Sequence, residues 1–344
     1  MTSAAAEPPG SEKRPVVLLP FASEPAPRRD VEDVRSAVEF ARGILEKGGF
    51  SPLPFPLSPE GLSRPASLAE EILDKKPLCV FNLFEGFSLD SGAEHRFRKL
   101  LEDLDLPCTG NPASVLRICL SKEECASLLK ARGIPVPPGV ALLPGDGPEQ
   151  AASLPFPIFL KPLHEDGSVG VDAHSLVQDE LSLKESLARK LSSFPSGIYA
   201  EVFLPGREYS VACLGRSPCS VAGVSVIDYE REGEILPFLD YGSKWEEDSP
   251  GYSLSPKKAS GPAAARAGEL ARAAGSALGC RGGFRVDLRE KEGELYVLDV
   301  NPNPDMTPDG GFLRQCRESG LGGEEVILLL LRQALEDHKE RDER

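Results

Sequence analysis

The 344-residue chain is 40% hydrophobic and carries a formal net charge of -15 at pH 7. That length accommodates two or three compact units, and that charge excludes general binding to nucleic acid, whose phosphates require a basic surface. Eight cysteines include no C-x-x-C pair and are joined by only four histidines, which predicts buried thiols in a reducing cytosol rather than a zinc site or disulfide framework. Residues 1–15 lack the apolar stretch of a signal peptide and are expected to be a disordered tail; the apolar run at 326–331 is too short to span a bilayer, so no membrane partner is expected.

In chain order, Val16-Val17-Leu18-Leu19 is a predicted buried strand and residues 31–47 an amphipathic helix stopped by Gly48-Gly49. No G-x-G-x-x-G follows, which argues against a dinucleotide fold. Helices at 68–75 and 94–105 flank a predicted buried strand at 78–84, so residues 16–115 form an open, largely parallel α/β sheet domain. Ser121 caps the next helix, which runs to Gly133, and the later elements divide into units at 116–195 and 196–344.

A strand at 157–162 carries Lys161, and the turn after it holds Gly167, Ser168 and Gly170, where the glycines let backbone N–H groups approach a phosphate. The same residues also suit a plain edge strand and hairpin. After a helix at 182–191, a strand at 197–204 ends in Glu201, Val202, Phe203 and Leu204, whose backbone suits an adenine edge; Glu201 and Glu208 suit ribose hydroxyls, a metal or simply solvent. The Ser-, Pro- and Gly-rich stretch at 240–261, with Lys244, is long enough to suggest function. An Ala-rich helix at 263–278 and closing helices at 310–319 and 324–341 complete the elements.

Between those helices lies a hairpin, Phe284-Arg285-Val286-Asp287-Leu288 and Leu295 through Asn301. A three-residue loop, Lys291-Glu292-Gly293, would oppose Asp287 to Val297 and Arg285 to Asp299, gathering Arg285, Asp287, Asp299 and Asn301 on one face with Val286, Leu298 and Val300 behind. A loop of even length would destroy that convergence. Two carboxylates and an amide oxygen suit Mg²⁺, and the guanidinium suits developing negative charge; a solvated polar strand face is the alternative.

With Lys122, Lys161, the glycine turn, Glu201, Glu208, Lys244, Arg285-x-Asp287 and Asp299-x-Asn301 in this order, residues 16–335 resemble the ATP-grasp superfamily, in its D-alanine–D-alanine ligase-like branch. The resemblance implies two α+β subdomains holding ATP behind an N-terminal open sheet. It implies phosphate contacts from Lys122, Lys161, Lys244 and the turn at Gly167, Ser168 and Gly170, with Ser168 and Lys244 also catalytic. Adenine and ribose would lie by Glu201, Val202, Phe203, Leu204 and Glu208. Asp287, Asp299 and Asn301 would bind two Mg²⁺ ions, Mn²⁺ serving as a substitute, although the family's middle ligand is usually Glu. Arg285 would stabilise a tetrahedral intermediate. The implied activity is ATP-dependent ligation of a carboxylate to an amine through an acyl phosphate, in a cytoplasmic homodimer with small-molecule substrates.

The acceptor side departs from the family. Glu85 stands where a histidine is usual, Gly167-Ser168 replaces paired serines, Trp245 replaces a tyrosine, and Gly310 falls near the serine for the incoming carboxylate. Asp305 and Asp309 add negative charge there. The substrate is therefore left open, with D-alanine–D-alanine ligation and non-catalytic nucleotide binding as alternatives. An amino-bearing substrate attracted by Glu85 is expected over D-alanyl-D-alanine synthesis.

Overall fold

A computed structural model of the chain describes residues 14–25, 29–151, 153–229, 236–245, 248, 254 and 256–343. The tail expected at 1–15 therefore lies almost wholly outside the described residues. Strand β1 (Val16–Ala22), helix α1 (Arg29–Lys47), strand β2 (Ser51–Leu57), helices α2 (Pro59–Leu62) and α3 (Pro65–Asp74), strand β3 (Cys79–Val80) and helix α4 (Ala93–Asp103) build a three-stranded parallel sheet in the order β2-β1-β3.

Two features differ from the sequence expectation. Only Cys79 and Val80 of the segment 78–84 pair as strand; Phe81, Leu83 and Phe84 continue as buried, unpaired chain toward the site. Strand β2 went unforeseen because Pro52, Pro54 and Pro56 argue against a ladder. It lies at the sheet edge, and Ser51 donates inward to Pro15 O at 2.8 Å, so the alternating prolines put their missing N–H groups on the open side.

Helices α5 (Ala113–Leu120) and α6 (Lys122–Ala131) follow, with Ser121 between them accepting from the Glu124 N–H at 3.3 Å. Strands β4 (Gly139–Leu142), β5 (Ile158–Pro162) and β6 (Leu176–Val177), helix α7 (Glu180–Ser193) and strand β7 (Ile198–Val202) make an antiparallel sheet ordered β4-β7-β5-β6. This sheet crosses the border expected at 195/196, because β7 pairs on both sides with strands before it. Leu183 and Leu187 of α7 close its core.

The third sheet is antiparallel, ordered β10-β9-β8-β11-β12. It comprises β8 (Glu208–Leu214), β9 (Ser220–Ile227), β10 (Lys257–Lys258), β11 (Gly283–Lys291) and β12 (Glu294–Asn301). Helices α8 (Tyr241–Trp245) and α9 (Gly261–Leu278) precede the hairpin, and α10 (Gly311–Glu318) and α11 (Gly323–Asp342) follow it. Phe284 and Val286 pack with Ala267, Ala271 and Ala274 of α9 and with Cys119, Cys125 and Leu129 of α5 and α6. The small side chains of α9 let the helix lie close to the sheet. Helices α10 and α11 pack through Phe312, Leu313, Val326 and Ile327 onto Val38 and Leu45 of α1, which joins the first unit to the third. All eight cysteines are free and buried, as the sequence suggested.

Candidate active site

The hairpin turn is Glu292-Gly293, with φ of 54° and 85°, and Lys291 opposes Glu294. Two consecutive left-handed residues make the tight turn that suits strand twist. The loop is thus even, not the three residues expected, and the convergence survives for another reason. A β-bulge between Asp287 and Leu288 shifts the register, leaving Leu298 as the extra residue of β12: Leu288 opposes Val297, whereas Asp287 opposes Asp299 and Arg285 opposes Asn301. Val297, not Leu298, is buried in the core, and Leu298 lines the cavity.

That cavity, about 740 Å³, lies between the three sheets, and the residues expected in the site line it except Gly170, with the Lys244 side chain outside the described residues. Arg285 grips Asp287 through Nε to Oδ1 at 2.9 Å and Oδ2 at 3.3 Å and through Nη2 to Oδ2 at 2.7 Å, and Ser210 donates to Oδ1 at 2.6 Å. Asp287, with help from Asp299, holds the Arg285 guanidinium above its ordinary pKa. Asn301 Oδ1 accepts from the Asn303 N–H at 2.9 Å. Among the described residues no group of three His, Cys, Asp or Glu side chains clusters as a metal site. The candidate donors are instead the carboxylates of Asp287 and Asp299 and the amide oxygen of Asn301, a hard-oxygen set that fits Mg²⁺ when phosphate oxygens and water complete the shell.

Two lysines, Lys122 buried and Lys161 half-buried, line the same cavity. Lys122, 8% exposed, lies 2.7 Å from Asp166 and 3.4 Å from Asp299; burial would lower its pKa, but the two carboxylates outweigh that and hold it above its ordinary value. Lys161 lies 2.7 Å from Glu201 and donates to Leu298 O at 3.2 Å. Burial raises the Glu201 pKa, and Lys161 opposes that shift. In this arrangement Glu201 neutralises Lys161 instead of waiting for ribose. Gly167 and Ser168 both have positive φ, 63° and 64°, and Ser168 Oγ donates to Leu239 O at 3.1 Å. A left-handed conformation is uncommon for serine. Gly170, at φ 71°, leaves no room for a Cβ against Phe194 and Pro162.

Val202, Phe203 and Leu204 are buried and line the cavity beside Phe159 and Phe238. The three phenylalanine rings form one cluster, Phe159 and Phe238 at 4.9 Å between centroids, and give the cavity an aromatic, apolar wall. Phe159 and Phe238 were not expected in the site, since an apolar residue in a strand carries no signal separating a core from a cavity wall. Glu208 accepts from Tyr229 OH at 2.9 Å and Arg289 Nη1 at 3.3 Å, and Arg289 is sandwiched between the Phe203 and Tyr229 rings. Lys244 falls on α8, but its side chain, like most of 246–255, lies outside the described residues.

On the other side of the cavity stand Glu85, Glu94, Asp305 and Gly310. Nearby, Arg96 pairs with Asp90, and Arg98 donates to Asn111 O at 2.9 Å. Glu94 was read only as a helix start. It lines the cavity, accepts from Asn303 Nδ2 at 2.7 Å, and is pushed up to about 8 by burial and by Asp166, against the Asn303 bond. Asp305 accepts from the Thr307 N–H at 2.8 Å and from the Thr307 hydroxyl; burial raises its pKa against those bonds. A Cβ at Gly310 would meet the Asp305 carboxylate and lie 2.6 Å from Thr307 Oγ1, so no serine fits there without a shift.

The D-ala D-ala ligase C-terminus family model matches residues 128–332. A D-alanine–D-alanine ligase B from Chromobacterium violaceum is 32% identical over 290 residues, covering 83% of this chain and 86% of that protein. One from Gluconobacter oxydans is 29% identical over 299 residues, covering 86% and 92%. The fold matches crystal structures of the Bacillus anthracis D-alanine–D-alanine ligase, alone (TM-score 0.76, 20% identity, 96% of this chain and 99% of that one) and complexed with ATP (0.74, 19%, 95% and 99%). The chain belongs to the D-alanine–D-alanine ligase family of ATP-grasp proteins and is an ATP-dependent, ADP-forming ligase that makes a C–N bond.

Proposed function

We propose that the chain joins two amino acids, with D-alanine in both positions as the substrate its relatives favour over an open assignment. The observation that carries this reading is the convergence of Arg285, Asp287, Asp299, Asn301, Lys122 and Lys161 on one cavity with an aromatic wall. Retention of Arg285 with all three candidate metal donors favours catalysis over nucleotide binding alone.

ATP lies with adenine against Phe159, Phe203 and Phe238 and its phosphates between Lys122, Lys161 and the turn at Gly167 to Gly170. Asp287, Asp299 and Asn301 would hold Mg²⁺, which would supply positive charge against the polyphosphate. The first amino acid's carboxylate oxygen attacks the γ-phosphorus, the bond to ADP breaks, and an acyl phosphate forms; Lys122 and Lys161 neutralise and orient the phosphates for that transfer. The second amino acid's amine then attacks the carbonyl carbon. Arg285 holds the oxyanion of the tetrahedral intermediate, and its collapse releases phosphate and leaves the amide. Glu201 holds Lys161 in place, and the three N–H donors of the ammonium let it bond a phosphate oxygen while it keeps that partner.

The test is ADP release by the purified chain with ATP, Mg²⁺ and D-alanine, the product identified by mass spectrometry. D-alanyl-D-alanine formed in step with ADP supports the reading. Turnover only with other carboxylates or amines overturns the substrate, and no amino-acid-stimulated ADP release overturns ligation.

A further inference from the structure

We infer that Arg314 receives a carboxylate of the amine-bearing second substrate, so that the acceptor is an amino acid or a peptide with a free carboxylate and not a simple amine. This rests on the amino-acid ligase reading above. Helix α10 puts Arg314 and Gln315 on the wall of the same cavity, just beyond Gly310. Among the described residues the two other arginines that line it are already neutralised, Arg285 by Asp287 and Arg289 by Glu208. Arg314 forms no ion pair among them, and its Nε is shielded from water without a hydrogen-bond partner.

Gln315 is 1% exposed and has one end of its amide bonded to Ser225 Oγ at 2.8 Å and the other without a partner. Buried polar groups left unpaired in this way are rare in folded proteins and point to a missing partner. A guanidinium matches a carboxylate in charge and fork geometry. The proposed phosphate contacts are Lys122 and Lys161, which line the same cavity, so ATP does not require Arg314.

The acidic residues that weighed against an acceptor carboxylate, both on the cavity wall, are either bonded or open to solvent. Asp305 is held by Thr307, and the fully exposed Asp309 side chain points toward Arg317, 4.0 Å away. With Gly310 unable to present a side chain, Arg314 is the nearest cation in sequence to take the role that a serine would otherwise serve.

Two reactions separate the halves of the cycle. Hydroxylamine traps the acyl phosphate as a hydroxamate and needs no acceptor carboxylate; D-alanine as acceptor needs one. Arg314→Ala is expected to raise the KM for acceptor D-alanine at least tenfold while hydroxamate formation stays within twofold of wild type, and Arg314→Lys to recover part of the loss. The wild type is expected to use D-alaninamide, which lacks the carboxylate, at least tenfold less well than D-alanine. An acceptor KM unchanged in Arg314→Ala, a parallel fall in hydroxamate formation, or D-alaninamide used as well as D-alanine overturns the inference. A wild type that forms no hydroxamate with any amino acid overturns the ligase reading beneath it.

Discussion

Asp287 is held by Arg285 and Ser210 and faces Asp299 across the hairpin. Each supplies an anionic oxygen that its amide isostere lacks. Asp287→Asn or Asp299→Asn should therefore cut ADP formation by more than the ~10–100-fold typical of residues that merely support a metal site, with the circular dichroism spectrum unchanged. Full activity in both variants would remove the assignment. Glu94 has a different signature. Its folded value of about 8 lies above the ordinary 4.5, so between those values the folded chain holds a proton that the unfolded chain has released. Stability is then lost as pH rises from 4.5, and the whole cost of the buried carboxylate is felt above about 8. Thermal midpoints across this range should fall for the wild type relative to Glu94→Gln, which keeps the acceptor for Asn303; parallel curves would contradict the assignment.

The hairpin illustrates how an element is specified by more than its alternation pattern. Deleting Leu298 would remove the bulge and leave Leu288 opposite Val297 and Asp287 opposite Asp299 in a regular ladder, each on its present face; the denaturant midpoint should hold within about 1 kcal/mol of stability, and loss of the fold would contradict the register. The sequence showed which residues gather here, because polar and apolar positions alternate, but not how, because a bulge leaves no mark in alternation beyond one extra residue. The same limit explains β2, where prolines masked an edge strand, and the aromatic wall, where Phe159 and Phe238 look like ordinary core residues. Lys122, Lys161 and the turn at Gly167 were legible through their order along the chain. Arg314 was not, since its interest comes from the partner it lacks.

Across the whole molecule, side-chain amides tie the first sheet domain to the hairpin. Asn111, 2% exposed, donates to Gly283 O at 3.2 Å and Pro302 O at 2.6 Å and accepts from the Arg281 N–H at 2.7 Å. Asn303 reaches Phe84 O at 3.2 Å as well as Glu94. Asn111→Ala leaves several buried groups unpaired and should destabilise the fold by on the order of 3 kcal/mol, read from the urea midpoint; an unchanged midpoint would argue that the units are held by apolar packing alone. These ties make one wall of the cavity from chain segments far apart in sequence. No helix among the described residues is long and apolar enough to cross a membrane. The central claim is that the converged residues join amino acids at the expense of ATP, and the most direct measurement is ADP release by purified protein with ATP, Mg²⁺ and D-alanine, compared with Arg285→Ala. The account expects amino-acid-dependent ADP release with one D-alanyl-D-alanine per ADP, reduced ~100–1,000-fold in the variant; ADP release that is independent of any amino acid, or equal in both proteins, would contradict it.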